Sequence, residues 1–107
     1  MSTFRVLYAP LALEDLRAIY RYIHETLGAP TAAQRQINRI RETARSLASL
    51  PERYSAVDWE PWASMHVHRV PIDRYILFYR IDETENTVTV LRVVYSGRRI
   101  DASLTEE

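Results

Sequence analysis

Two histidines, His66 and His68, stand two residues apart in an alternating run, SMHVHRV (Ser64 to Val70). On a β-strand, residues at this spacing point to the same face, roughly 6.5 to 7 Å apart. Two imidazoles placed so could act as a general acid and base, contact a phosphate or bind a metal, or could simply face solvent. The chain has no cysteine and Asp73 is the only nearby carboxylate. We therefore predict no metal and no cofactor.

Arginine supplies all fourteen basic side chains of the chain, which has no lysine. A planar guanidinium suits carboxylates and phosphates, although a GC-rich codon bias explains the same usage. Strand alternation places Arg80 and Arg92 on the face of the sheet opposite to that of their apolar neighbours. This face is either a hydrated sheet face or a binding face. The candidate target-binding residues are Arg69, Arg74, Arg80, Arg92, Arg98 and Arg99.

Arg98 and Arg99 follow an apolar run directly, in VVYSGRRID (Val93 to Asp101). Gly97 permits a positive φ angle or a bulge at the end of the strand. The two arginines are either exposed, one of them paired with Asp101, or placed to bind phosphate or carboxylate. Spacing alone leaves both interpretations open.

The whole chain has the size and composition of one globular domain, residues 1–107. Its net charge of zero argues against a protein whose affinity comes mainly from neutralising phosphates. No apolar run is long enough to span a bilayer, and the N-terminal segment is too quickly acidic for a signal peptide. With no cysteine, a reducing cytoplasm is the expected setting. Residues 102–107 are expected to form a frayed acidic tail.

Periodicity predicts the elements that position these side chains. Apolar residues at three- and four-residue steps predict a helix over residues 11–27, ended by Gly28 and Pro30. Thr31 and Gln34 resemble a capping box that begins a second helix, which stops before Pro51. Four runs read as strands: residues 4–8, 64–70, 75–81 and 87–95.

The order β-α-α-β-β-β predicts an α+β domain with a two-helix hairpin packed on one face of an antiparallel sheet. The run from Tyr75 to Ile81 is the most apolar and should be an inner strand, joined to the last strand by the turn Asp82–Asn86. Between Pro51 and Ala63 the periodicity is lost while two tryptophans gather, so this loop must pack somewhere.

Several segments together resemble the RelE/ParE superfamily, the toxins of type II toxin–antitoxin pairs. The opening FRVLYAPLALEDLRAIYRYI is similar to the strand and helix of this family. LASLPERY, HRVPIDRYILFYRID and VLRVVYSGRRID resemble the close of its second helix, its strand pair and its last strand. The residues that match are Ala12, Asp15, Leu16, Ile19, Tyr22, Ile23, Arg69, Tyr75, Leu77, Tyr79 and Arg98. The resemblance covers residues 4–101 and implies a growth-inhibiting toxin, of the kind linked to plasmid stabilisation.

The resemblance implies three alternative activities. The favoured one is a ParE-like toxin that binds DNA gyrase, because the net charge is zero and no Tyr or His follows Arg99. The second is a RelE-like endoribonuclease that cuts mRNA on the ribosome with His66, His68 and Arg98 as catalytic residues, although Ile76 stands where RelE has an arginine. The third is a toxin fold whose target activity has decayed, leaving only antitoxin binding.

All three alternatives imply a cognate antitoxin in a hetero-oligomeric, cytoplasmic complex. The resemblance places the antitoxin over the helical hairpin and the strand edges, without an assignment to individual residues. Whether the chain is an enzyme stays open at this point.

Overall fold

A computed structural model of the chain describes residues 3–105. Over these residues the fold is α+β, as predicted, with two α-helices and a five-stranded sheet. The strands and α-helices are β1 (Arg5–Tyr8), α1 (Pro10–Arg21), α2 (Pro30–Ser46), β2 (Ser55–Ala56), β3 (Val67–Ile72), β4 (Tyr75–Asp82) and β5 (Thr87–Tyr95). None of the helices in this part of the chain is long and apolar enough to cross a bilayer.

The sheet is mixed, with the strand order β1-β5-β4-β3-β2. β3, β4 and β5 form the predicted antiparallel meander, and β4 is an inner strand. The prediction of a wholly antiparallel sheet is wrong, because β1 pairs in parallel with β5, Arg5 opposite Thr87. The connection between these two parallel strands is long, since it includes both helices and the strands β2, β3 and β4.

The two helices begin at prolines and pack their apolar faces on the sheet. Pro10 and Pro30 each occupy the first turn, where a missing N–H costs nothing. The predicted capping box is wrong, since Ala29 is the N-cap of α2 and no side chain caps this helix. Gly28 has a φ of 63°, the left-handed conformation that ends a helix.

The prediction of a regular first helix up to residue 27 is wrong. After Arg21 the chain forms a π-helical turn, Tyr22–Thr26. The wider turn shifts the phase of the side chains, so that Ile23 is buried whereas Leu27, expected on the buried face, is 57% exposed.

A main core fills the space between the helices and the sheet. The helices contribute Leu16, Ile19 and Ile40, and Leu47 follows directly after α2; each of these side chains is buried. β4 and β5 supply buried residues from the facing side of the sheet, including Leu77 and Tyr79. This arrangement holds the ends of the strands, where the candidate residues lie, on a rigid support.

The opposite face of the sheet carries a second core, which the sequence did not predict. Phe78 packs against the rings of Trp62, at 5.1 Å between centroids, and Trp59, at 6.0 Å. The remaining members are Val57, Val67, Val94 and Leu104. The aperiodic loop therefore packs on the face that was expected to be open.

The C-terminal segment covers the same face. Ala102–Thr105 form a 3-10 helix, and Leu104 is 1% exposed. The expectation of a frayed tail is wrong for residues 102–105, because burial of Leu104 fixes them. Residues 106–107 lie outside the described part of the chain.

Candidate functional site

The strand register separates the candidate residues into two groups. Tyr95, near Arg98, pairs with Tyr75 beside the β3–β4 turn, whereas Thr89 pairs with Arg80 and Arg80 with Val67. Thr89 and Tyr95 are six positions apart, which is about 20 Å along a strand. His66, His68 and Arg80 thus lie at one end of the sheet, and Arg74, Arg98 and Arg99 at the other.

The two histidines lie at the start of β3 but are not both strand residues. His66 precedes β3 and has a left-handed φ of 59°, so the prediction that the strand includes it is wrong. His68 is in β3 and stacks on Tyr79 with 5.8 Å between ring centroids. Its Nδ1 lies 2.7 Å from the carbonyl oxygen of Tyr54. A carbonyl can only accept, so Nδ1 carries the hydrogen and Nε2 is the basic nitrogen of the neutral ring.

Both histidines nevertheless line one cavity of about 440 Å³. Arg80 lines it as well and lies 4.0 Å from Asp82. The other charged residues of the lining are Glu52, Asp82 and Glu83. Within residues 3–105, no three His, Asp or Glu side chains are grouped so that they could hold a metal ion. The cavity therefore combines two imidazoles with more carboxylates than guanidinium groups.

Arg69 and Arg92 belong to the inner part of the sheet surface. Arg69 is exposed and pairs with Phe78 across β3 and β4. The prediction that Arg92 marks an open face is wrong, because its side chain is only 12% exposed. β1 ends opposite Val90, and beyond that point α1 passes the uncovered edge of β5.

Asp15 of α1 binds this uncovered edge. Its carboxylate accepts hydrogen bonds from Arg92 Nε at 2.7 Å, Arg92 Nη2 at 3.1 Å and the Val93 N–H at 2.9 Å. The hydrogen bond to Asp15 raises the pKa of the Arg92 guanidinium, against the effect of burial. Arg92 therefore joins α1 to β5 and is not available to a target.

At the other end of the sheet, the residues after β5 form a compact turn. The Ser96 N–H donates to the Arg74 carbonyl at 2.8 Å, and the Arg98 N–H to the Tyr95 carbonyl at 3.0 Å. Gly97 does not have a positive φ but lies close to a side chain: a Cβ there would lie 2.2 Å from Cε2 of Tyr95, so the exposed tyrosine ring would have to move. The turn brings the Arg74 and Arg98 backbones to the same end of β4 and β5.

The two neighbouring arginines of this turn differ in their partners. Arg99 forms the predicted ion pair with Asp101. Hydrogen bonds from Ser103 and Arg99 hold the pKa of the Asp101 carboxyl below its ordinary value. Arg98 is exposed, and the ion pairs found among residues 3–105 do not include it. Of the pair, Arg98 is the one free to contact another molecule.

A groove of about 760 Å³ lies beside this turn, between the helices and the ends of β4 and β5. Tyr22, Leu27 and Tyr95 line it, and each is more than half exposed. Arg74 stands in the lining, and burial raises the pKa of the Tyr75 phenol there. Sequence reasoning missed this groove because a π-helical turn has no periodic signal. The apolar positions Tyr22 and Leu27 were visible but were assigned to a regular helix.

The sequence profile of a family described as "ParE toxin of type II toxin-antitoxin system, parDE" matches residues 6–100. No curated protein sequence matches the chain significantly. Similar solved structures include a chromosomal ParDE toxin–antitoxin system from P. aeruginosa, with a TM-score of 0.70 and 19% identity over 87% of this chain and 96% of that one.

Two further solved structures are similar to the chain. One is the toxin–antitoxin complex RelBE2 from Mycobacterium tuberculosis, with a TM-score of 0.67 and 25% identity over 94% of this chain and 97% of that one. The other is an archaeal RelE–RelB complex from Pyrococcus horikoshii OT3, with a TM-score of 0.61 and 18% identity over 91% of this chain and 99% of that one. At 18–19% identity, the likeness to the first and third structures is one of fold.

Proposed function

Since this chain belongs to the ParE toxin family of type II toxin–antitoxin systems, we propose that it inhibits growth by binding DNA gyrase and that a cognate antitoxin neutralises it. The family membership makes it a toxin of the ParE/RelE superfamily. Gyrase as the target, the mode of action and the antitoxin interface are parts of the proposal. The similar structures named above are toxin–antitoxin complexes, which supports an antitoxin partner for this chain as well.

The distance between the candidate catalytic residues is the observation that favours a binding toxin over a nuclease. An acid, a base and a cation that cleave one RNA phosphodiester must all reach the same phosphate within hydrogen-bond distance. His66 and His68 lie about 20 Å along the strands from the turn that bears Arg98, by the rise of 3.3 Å per residue. This separation argues against a catalytic site made of these three residues. A binding toxin has no such requirement, since an interface can extend over both ends of the sheet.

Arg98 and Arg74 are the guanidinium groups that we assign to target binding. Both are exposed and lie at the same end of the sheet, beside the tyrosines of the groove. Arginine next to exposed tyrosine is the composition typical of interface hot spots. Arg69, Arg80 and Arg99 stay peripheral candidates, and Arg92 has a structural role.

A ribosome-dependent nuclease is the second candidate, and one observation favours it. His66, His68 and Arg80 line the same cavity, so Arg80 could take the part first considered for Arg98. Three carboxylates, Glu52, Asp82 and Glu83, line that cavity too and would repel a phosphate. We therefore rank this function below gyrase binding.

The test compares both activities of the toxin purified away from its antitoxin. We expect inhibition of gyrase supercoiling and no cleavage of ribosome-bound mRNA. Arg98→Ala should weaken gyrase inhibition by about 30-fold if it is an interface hot spot, whereas Arg35→Ala, on the exposed side of α2, should have no effect. Intact supercoiling at saturating toxin would refute the proposal. Site-specific mRNA cleavage that disappears in His66→Ala or Arg80→Ala would establish the nuclease instead.

A further inference from the structure

One bulky apolar residue holds a backbone conformation that such residues rarely adopt. Residues 3–105 include five with a positive φ, and four of them, Gly28, His66, Asp73 and Asn86, are of types that suit it. The fifth is Leu50, with a φ of 47°. A branched apolar side chain at a left-handed position is an outlier that asks for an explanation beyond the turn itself.

The fold does not use the Leu50 side chain. Leu50 is 77% exposed, more than any other large apolar side chain in the described part of the chain. Packing therefore does not account for leucine at a position where glycine or asparagine would be relaxed. A partner that buries this side chain would account for it.

The backbone around Leu50 is held rigidly. The Arg53 guanidinium donates hydrogen bonds to the carbonyl oxygens of Ser49 and Leu50 and to the hydroxyl of Ser46. The Tyr79 hydroxyl, inside the main core, donates to the carbonyl oxygen of buried Pro51. These contacts fix the backbone that presents Leu50, which lowers the backbone entropy that is lost when a partner binds.

The cavity with the two histidines lies next to Leu50 along the chain. Glu52, two residues further on, forms part of its lining, as does His66. Three carboxylates face one guanidinium in this cavity, and Arg80 is already near Asp82. The cavity therefore complements a basic side chain, and repels a nucleic-acid phosphate.

We propose that Leu50 and the adjacent cavity form a docking surface for a basic, DNA-contacting segment of the protein target, with Leu50 as the apolar anchor and the cavity as the receptor for a lysine or arginine. The inference rests on the proposed function, in which the target is a DNA-handling enzyme, because surfaces that bind DNA carry clustered basic side chains. Arg98 lies about 20 Å away along the strands. An interface of roughly 800 Å² per partner spans that distance, so one large target can contact both ends.

The decisive variant is Leu50→Gly, which removes the anchor while suiting the backbone. We expect this variant, and Leu50→Asn, to melt at the temperature of the wild-type protein or above it. Their affinity for purified gyrase should fall by at least about 30-fold, the loss of a single interface hot spot. Glu83→Gln should also weaken binding, whereas Glu42→Gln on the exposed side of α2 should not. Duplex DNA should compete with the wild-type toxin for gyrase.

Binding of Leu50→Gly within twofold of wild type would overturn the inference, as would failure of duplex DNA to compete. Loss of antitoxin binding with unchanged gyrase binding would overturn the assignment of the occupant. If the wild-type chain does not bind gyrase, the proposed target is wrong. The docking surface is then tested separately, by comparing growth inhibition by the wild-type chain and by Leu50→Gly. If Leu50→Gly is as stable as the wild type but no longer inhibits growth, the result supports the docking surface, with another basic target. If Leu50→Gly still inhibits growth, the docking surface is refuted.

Discussion

Replacing Asp15 by alanine should destabilise the protein strongly, although no catalytic or target-binding role is assigned to Asp15. The change removes three hydrogen bonds at once, two from the Arg92 guanidinium and one from the Val93 N–H. It leaves a guanidinium whose side chain is 12% exposed and an edge N–H without their acceptor. An unpaired buried charge is more costly than the absence of both partners.

The size of the effect follows from the burial of the pair. Breaking a fully buried ion pair costs roughly 3–5 kcal/mol, and the partial exposure here favours the lower end, about 3 kcal/mol. A domain of this size has a free energy of unfolding of roughly 5–16 kcal/mol. An unfolding entropy of about 2.1 cal/mol/K per residue converts 3 kcal/mol into a fall in melting temperature of about 13 °C.

The assay is thermal and urea unfolding of four proteins: wild type, Asp15→Ala, the double variant Asp15→Ala/Arg92→Met, and Arg39→Ala. The double variant should recover part of the loss, because it removes the unpaired charge. Arg39→Ala breaks an exposed ion pair with Asp73 and should cost less than about 1 kcal/mol. A decrease of less than about 4 °C for Asp15→Ala would refute the reasoning that this pair anchors α1 to β5.

Trp62→Ala should lower the free energy of unfolding by roughly 3–5 kcal/mol in urea titrations, because it empties the second core; a loss below 1 kcal/mol would show that this face is not packed. Leu104→Ala should cost about 2–4 kcal/mol and increase hydrogen exchange at residues 100–105, which a frayed tail would not show. Burial raises the pKa values of Tyr8, Tyr75 and Tyr79. The stability that they contribute is fully present below pH 10, the pKa of an unfolded tyrosine, and is lost as pH rises above it. The free energy of unfolding, measured by urea titration from pH 9 to 12, should therefore fall above pH 10, by up to about 1.4 kcal/mol per pH unit from Tyr79 alone, and a flat profile would contradict the burial of these phenols.

Much of the secondary structure was predictable because its signals are local. The apolar periodicity of Leu16 and Ile19 predicts α1, and the run of β4 is apolar enough to identify an inner strand. The parallel pairing of β1 was missed, because the partner of Arg5 is Thr87 and no local pattern links the two. The π-helical turn was missed for the opposite reason, since it is a single irregular turn inside a periodic segment.

The candidate residues were predictable by type but not by partner. The sequence indicates that Arg92 lies in a strand, yet the carboxylate that accepts its hydrogen bonds, Asp15, is on another element 77 residues away. The face that bears Arg80 and Arg92 was predicted to be open, and that prediction also failed because of a segment distant in sequence. The aromatic loop that covers part of it has no periodicity from which its position could be read. Leu50 gave no signal in sequence, because an apolar residue before a proline is ordinary until its φ angle is known.

The parallel pairing of β1 with β5 also determines when a newly made chain can complete its sheet. Within residues 3–105, β5 is the one strand that pairs with β1, and Thr87 is synthesised about 82 residues after its partner Arg5. At roughly 5–20 residues per second, the first strand waits on the order of 4–16 seconds on the ribosome for its neighbour. A nascent chain that stops before β5 lacks both this pairing and the strand that Asp15 anchors. Interrupted translation should therefore yield fragments with an incomplete sheet, and not a shortened but folded toxin.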